Sequence, residues 1–140
     1  MKRFLALLLI CLLIAPCAFA ATLNDYEDYS VVLGGSVLKD GDARGDFIRF
    51  IQDGCTITIK RDSEEIIMIV IEGKGDPFLS YCSAALAVFD NEGKTNCLGQ
   101  LLTMYLLSPG KTDHQTGQTS KGDFFFLENK DDGLYFSIMK

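Results

Sequence analysis

The sequence predicts an α+β domain: a mainly antiparallel sheet of five to six strands, with two helices packed on one face, in the order β-β-β-β-α-α-β-β. Three observations carry this. Ile66-Ile67-Met68-Ile69-Val70-Ile71 is an unbroken apolar run, rich in β-branched residues and bounded by Glu64-Glu65 and Glu72-Gly73. Such a run reads as an interior strand with neighbours at both edges and cover on both faces. Asp53-Gly54 lies between two β-rich runs and marks a two-residue hairpin, because both central residues of that turn need positive φ. Phe78, Tyr81, Cys82, Ala85, Leu86 and Phe89 recur at the spacing of one helical face. Strands, then helices, then strands is an α+β order.

The first twenty residues stand apart. Met1-Lys2-Arg3 is basic, residues 4–14 are apolar but short for a membrane span, and Pro16 precedes the small residues of Ala18-Phe19-Ala20. This pattern predicts a secretory signal over 1–20, cleaved before Ala21, and one domain over 21–140. The mature protein is then periplasmic or secreted, with no stable membrane insertion.

Residues 21–30 are polar and acidic with Tyr26 and Tyr29 interleaved, and fit either a short helix or an extended arm. Residues 31–38 read as a strand interrupted at Gly34-Gly35, and residues 39–46 as a turn-forming loop. The Asp53-Gly54 turn then sets Gln52 against Cys55, Phe50 against Ile57 and Ile48 against Ile59. One face carries Ile48, Phe50, Cys55, Ile57 and Ile59 toward the core; the other, mixed face carries Phe47, Arg49, Ile51, Thr56, Thr58 and Lys60. Arg61-Asp62-Ser63-Glu64 turns the chain into the apolar strand. Asp76-Pro77 supplies an N-cap and a first-turn proline for the helix, which ends near Asn91-Glu92-Gly93. Asn96 caps a second helix bearing Leu98, Leu101, Leu102, Tyr105 and Leu106, with a buried strand as the rival reading of 97–107. Residues 110–122 hold no large apolar side chain and read as an exposed loop. A closing hairpin follows, with strands at 123–128 and 134–139.

Charge and chemistry narrow the function. Without the leader, 11 Lys and Arg face 19 Asp and Glu, a net of −8. That balance argues against nucleic acid and anionic membranes, and permits a basic protein partner. Cys55, Cys82 and Cys97 remain; an oxidising compartment makes one disulfide and one left-over thiol of them. Cys55–Cys82 is the favoured pair, since Cys55 faces the core where the first helix begins and Cys82 lies on that helix's buried stripe. Cys97 is the alternative partner of Cys82. Three cysteines and one histidine are too few for a standard zinc site, so neither metal nor cofactor is expected.

Asp113-His114 invites a hydrolase reading, but adjacent residues on a loop do not hold an Asp–His–hydroxyl geometry, and no Gly-x-Ser-x-Gly elbow is present. Asp40 to Asp46 begins like a calcium loop and fails at Arg44 and at Ile51. The leading expectation is a non-enzymatic protein-binding domain of inhibitor, immunity or envelope-accessory type, with Asp113, His114 and Gln115 as its contact loop. A small hydrolase is the alternative, and a carrier of a small apolar ligand between helices and sheet the next.

Made with its leader in an exporting host, the protein recovered from outside the cytoplasm should begin at Ala21 on N-terminal sequencing. A product beginning at Met1 would remove the export expectation.

Overall fold

In a computed structural model of the chain, residues 20–90, 114–119, 121–130 and 132–140 are described. The elements are α1 (Leu23–Val32), β1 (Asp42–Arg44), β2 (Phe47–Gln52), β3 (Cys55–Asp62), β4 (Glu65–Gly73), α2 (Gly75–Phe89), β5 (His114–Gln118), β6 (Phe124–Lys130) and β7 (Gly133–Met139). The fold is α+β with an antiparallel sheet. The sheet has seven strands rather than five to six, in the order β1-β2-β3-β4-β7-β6-β5. Two meanders, β1 to β4 and β5 to β7, meet edge to edge at the antiparallel β4–β7 pair. One described helix precedes the sheet, and the other lies between β4 and β5. The helix expected from Asn96, like Cys97, falls outside the described residues.

The Asp53-Gly54 hairpin has the expected register, Gln52 to Cys55, Phe50 to Ile57 and Ile48 to Ile59. Both turn residues take positive φ, +53° and +71°, as a two-residue turn matched to the strand twist requires. The expected core face is buried throughout, from Ile48 to Ile59. β4 is an interior strand, with β3 on one side and β7 on the other.

Cover on both faces of β4 was expected; among the described residues, the helices cover one face. Ile66, Ile69 and Ile71 are fully buried, while Ile67, Met68 and Val70 are half-buried. The three buried isoleucines do not follow a simple alternation. Lys60 pairs with Met68 and Arg61 with Ile66, which leaves Ile67 as an extra residue in a β-bulge. The bulge resets the phase, so Ile66 shares a face with Ile69 and Ile71. It also marks a change of neighbour. Beyond it β7 ends, with Lys140 N–H donating to Ile67 O at 3.1 Å, and Ile66 N–H donates to Ala21 O at 2.7 Å. The segment leading into α1 thus lies along the end of β4.

Residues 21–30 form most of a helix, and the strand expected over 31–38 is absent. A capping box starts α1: Thr22 Oγ1 accepts from Asp25 N, while Asp25 Oδ2 accepts from Thr22 N at 3.0 Å. The helix runs through the β-branched Val31-Val32 and stops at Gly34, φ +93°. There Gly34 N–H donates to Val31 O and Gly35 N–H to Ser30 O, the paired bonds of a Schellman stop. The presumed interruption of a strand is the end of a helix. Residues 39–46, read as loop, contain the three-residue edge strand β1, which pairs with β2 across Gly45-Asp46.

α2 begins one residue before the expected cap, with Lys74 at the N-cap and Asp76 inside the first turn. Gly75, at φ +78°, turns the chain from strand into helix. The predicted stripe is buried in full. Burial then spreads around the second half, where Ala84, Ala87 and Val88 are also enclosed. The two helices pack together on the same sheet face; Tyr26 of α1 is fully buried and donates from its hydroxyl to Tyr81 O at 3.2 Å.

Tyr81 holds the assembly at one corner. Its hydroxyl donates to Asp53 Oδ2 at 2.5 Å and accepts from Gln52 Nε2 at 2.7 Å and Ser36 N at 3.3 Å. Gln52 Oε1 in turn accepts from Lys39 N at 3.1 Å. One phenol therefore ties α2 to the hairpin turn and to the segment that leaves α1.

These bonds polarise the corner. The Tyr81 hydroxyl, then Ser36, hold Asp53 below the usual carboxylate range; burial, then the Asp53 bond, push Tyr81 up. A lowered carboxylate contributes stability above its unfolded pKa, and that contribution is lost as pH falls through the folded value. A raised phenol contributes below its unfolded pKa of about 10, and the contribution is lost as pH rises through the folded value. Asp53→Asn, which keeps a residue tolerant of positive φ, should flatten the acid limb of stability against pH. Tyr81→Phe should cost about 1–2 kcal/mol at neutral pH by urea denaturation and flatten both limbs. Unchanged profiles would show that the corner bears no load.

Candidate functional site

Both described helices lie on one face of the sheet, and neither lies over the opposite face. Strand alternation and the ladder register organise that opposite face into three rows running across the strands. The first row is Arg44, Phe47, Lys60, Met68, Met139, Phe124 and Gln118. The middle row is Asp42, Arg49, Thr58, Val70, Ser137, Phe126 and Thr116. The third is Ile51, Thr56, Glu72, Tyr135, Glu128 and His114.

The first row is apolar where it crosses the centre. Met68, Met139 and Phe124 stand on three adjacent strands, and Phe47 lies two strands further along. Phe124 is 62% exposed, Met139 46%, Phe47 40% and Ile51, in the third row, 71%. Large apolar side chains at these exposures are ordinary when scattered. Here they gather on one face, which is the pattern that marks an interaction surface.

The third row is more polar and more ordered. His114 stacks on Phe126 at 5.6 Å between centroids, and Phe126 meets the Tyr135 ring edge-on at 6.1 Å. Lys130 Nζ lies 4.4 Å from the centre of the Tyr135 ring and 3.7 Å from Glu128 Oε2. Across the sheet, Lys60 Nζ stands 5.6 Å from the centre of the Phe47 ring. Each cation on an aromatic face gives about 0.5–1 kcal/mol at an exposed site, enough to bias side-chain positions without fixing them.

Beside the middle of the third row, at Glu72 and Tyr135, three chain turns converge on a cleft of about 260 Å³. Gly54 comes from the first hairpin, Gly73 and Lys74 from the β4–α2 junction, and Lys130, Asp132 and Gly133 from the closing hairpin; Glu72, Leu134 and Tyr135 complete it. The lining mixes two lysines with two carboxylates beside one aromatic ring, which suits a polar or zwitterionic group better than an apolar ligand.

Of the contact loop expected at Asp113, His114 and Gln115, Asp113 lies outside the described residues. His114 and Gln115 begin β5, an edge strand, so the exposed-loop reading is corrected over 114–118. His114 pairs with Glu128 and Gln115 with Leu127. Sequence reasoning missed this strand because its residues are polar; the pairing partner β6 and the absence of a Cβ at Gly117, where one would collide with the Phe125 ring, make room for it. Among the described residues, no group of three His, Cys, Asp or Glu side chains could hold a metal ion. None of the described helices is long and apolar enough to cross a membrane.

Cys55 and Cys82 are buried free thiols. Burial raises the pKa of each; for Cys82 the second cause is the neighbouring Cys55. Neither is a ready nucleophile in this state. Comparison with protein-family models, with curated proteins and with solved structures finds no match to this chain.

Proposed function

We propose that this is an exported, non-enzymatic protein-binding domain whose partner docks across that opposite face of the sheet. The observation that carries the proposal is the gathering of Phe47, Ile51, Phe124 and Met139, all at least 40% exposed, on the face opposite the two described helices. The contact surface is thus moved from the loop around His114 to the sheet, with His114 at its margin.

The chemistry of the face specifies the partner. An apolar strip of the partner lies along Phe124, Met139 and Met68, and basic side chains meet Glu72 and Glu128 in the third row. The overall charge of −8 after loss of the leader favours the approach of a basic protein and its orientation. Export rests on residues 1–20, and the start of the sheet contacts at Ala21 is compatible with cleavage before that residue. Inhibition, immunity toward a toxin and an accessory role in the envelope all use such a surface.

A photo-crosslinking side chain placed at Ile51 or at Phe124 in the native host should join the protein to one discrete partner. The same group at Val32, 79% exposed at the end of α1, should not. With the partner in hand, Ile51→Asp and Phe124→Asp should each weaken binding at least tenfold, the size of a well-buried apolar contact, and leave the melting temperature within a few degrees. Higher salt should slow association. Equal crosslinking from all three positions, or a product of twice the chain's own mass, would overturn the proposal.

A further inference from the structure

The core beneath the hairpin holds two thiols that the binding surface does not use. Cys55 opens β3 directly after the Asp53-Gly54 turn and points into the core, 1% exposed; Cys82 lies in α2 and is fully buried. Two sets of contacts bring these segments together. The Tyr81 hydroxyl bonds to Asp53 at 2.5 Å and to Gln52 at 2.7 Å, so the helical turn carrying residues 81 and 82 is tied to the hairpin end carrying residues 52 to 55. Against Cys55 the chain has Gly73, where a Cβ would sit 2.6 Å from the Cys55 Sγ. The cysteine sulfur thus fills the space of the missing side chain at the point where β4 gives way to α2. Burial raises the Cys82 pKa, and the neighbouring Cys55 raises it further.

We infer that Cys55 and Cys82 are joined by a disulfide in the exported protein, formed during folding by an oxidant of the thiol–disulfide class. One cysteine thiolate attacks the oxidant's disulfide, releasing one oxidant thiolate and leaving a mixed disulfide. The second cysteine thiolate then attacks the protein sulfur of that bond and releases the other. Two protons and two electrons leave the protein, one S–S bond forms, and the oxidant's disulfide becomes two thiols. The timing follows from burial: a macromolecular oxidant cannot reach thiols at 0–1% exposure, so the reaction precedes the docking of α2 on the sheet. The bond would close a loop of 28 residues and hold α2 to the hairpin through the core, parallel to the Tyr81 bonds at the hairpin turn. It requires an oxidising compartment but not the proposed partner, so a failed crosslink leaves it standing.

The test uses the chain from Ala21 onward with Cys97→Ser, refolded in a mixture of reduced and oxidised glutathione. The expected product is 2 Da lighter than the reduced form and offers no thiol to alkylation in denaturant. Its proteolytic digest yields a joined fragment containing residues 55 and 82. Its melting temperature should exceed that of the reduced form by roughly 10 °C. The same mapping on wild-type protein, purified from the exporting host under acid to trap thiols, should show Cys55–Cys82 with Cys97 free. Protein that remains fully reduced in that host, or a bond from Cys97 to either residue, would overturn the inference.

Discussion

The bulge at Ile67 is the constraint on which the two-sidedness of this fold depends. β4 lies at the middle of seven strands and carries six large apolar residues in succession. A regular strand would send Ile66 to one face and Ile69 and Ile71 to the other. The extra residue puts all three under the helices, where each buried side chain contributes about 1.5–3 kcal/mol relative to exposure. It also falls where β7 runs out and the Ala21-Thr22 segment takes over as neighbour. The same irregularity therefore fixes which face is the core, ends one pairing and admits the start of α1 to another.

Among the described residues, geometry accounts for cover on one face alone. Seven strands at about 4.8 Å spacing span close to 30 Å, and α2, with 15 residues, is about 22 Å long. α1 is shorter, with 10 residues, and part of its surface is spent against α2. The two described helices suffice for one sheet face. A face left without a layer normally alternates to polar residues; this one does so in its middle row, at Thr58, Ser137 and Thr116, but not in the first. The departure is local, and it sits where three strands of both meanders meet.

What could be read from the sequence follows from how local the determining physics is. The Asp53-Gly54 hairpin was legible to the residue because a two-residue turn sets its own register. The buried stripe of α2 was legible because its period needs no partner. Residues 31–38 misled because Val31, Val32 and Leu33 favour strands by propensity, whereas the helix is imposed from its ends by the Thr22–Asp25 box and the Gly34 stop. β5 was illegible because an edge strand draws its stability from β6, not from its own apolar pattern. The candidate surface was half legible. Alternation assigned Phe47 and Ile51 to an outward, mixed face, but nothing in the sequence aligned Met68 of β4 with Met139 and Phe124 of the closing hairpin. That row exists only once β4 pairs with β7, two strands 60 residues and more apart in the chain.

The division of labour between the faces bears on why the polar corner at Tyr81 matters. The core face is held by apolar burial, which is strong but does not specify direction. The hydrogen bonds from Tyr81 to Asp53, Gln52 and Ser36 do specify direction: they set where along the hairpin α2 comes to rest. Asp53 serves twice, as the turn residue with positive φ and as the acceptor for the phenol, so the hairpin turn itself carries the anchor for the helix. With α2 docked there, the β4–α2 junction at Gly73-Lys74 lies beside the closing hairpin, and the cleft at Glu72, Lys130 and Tyr135 takes its shape. The two faces are thus linked through the strands that both share.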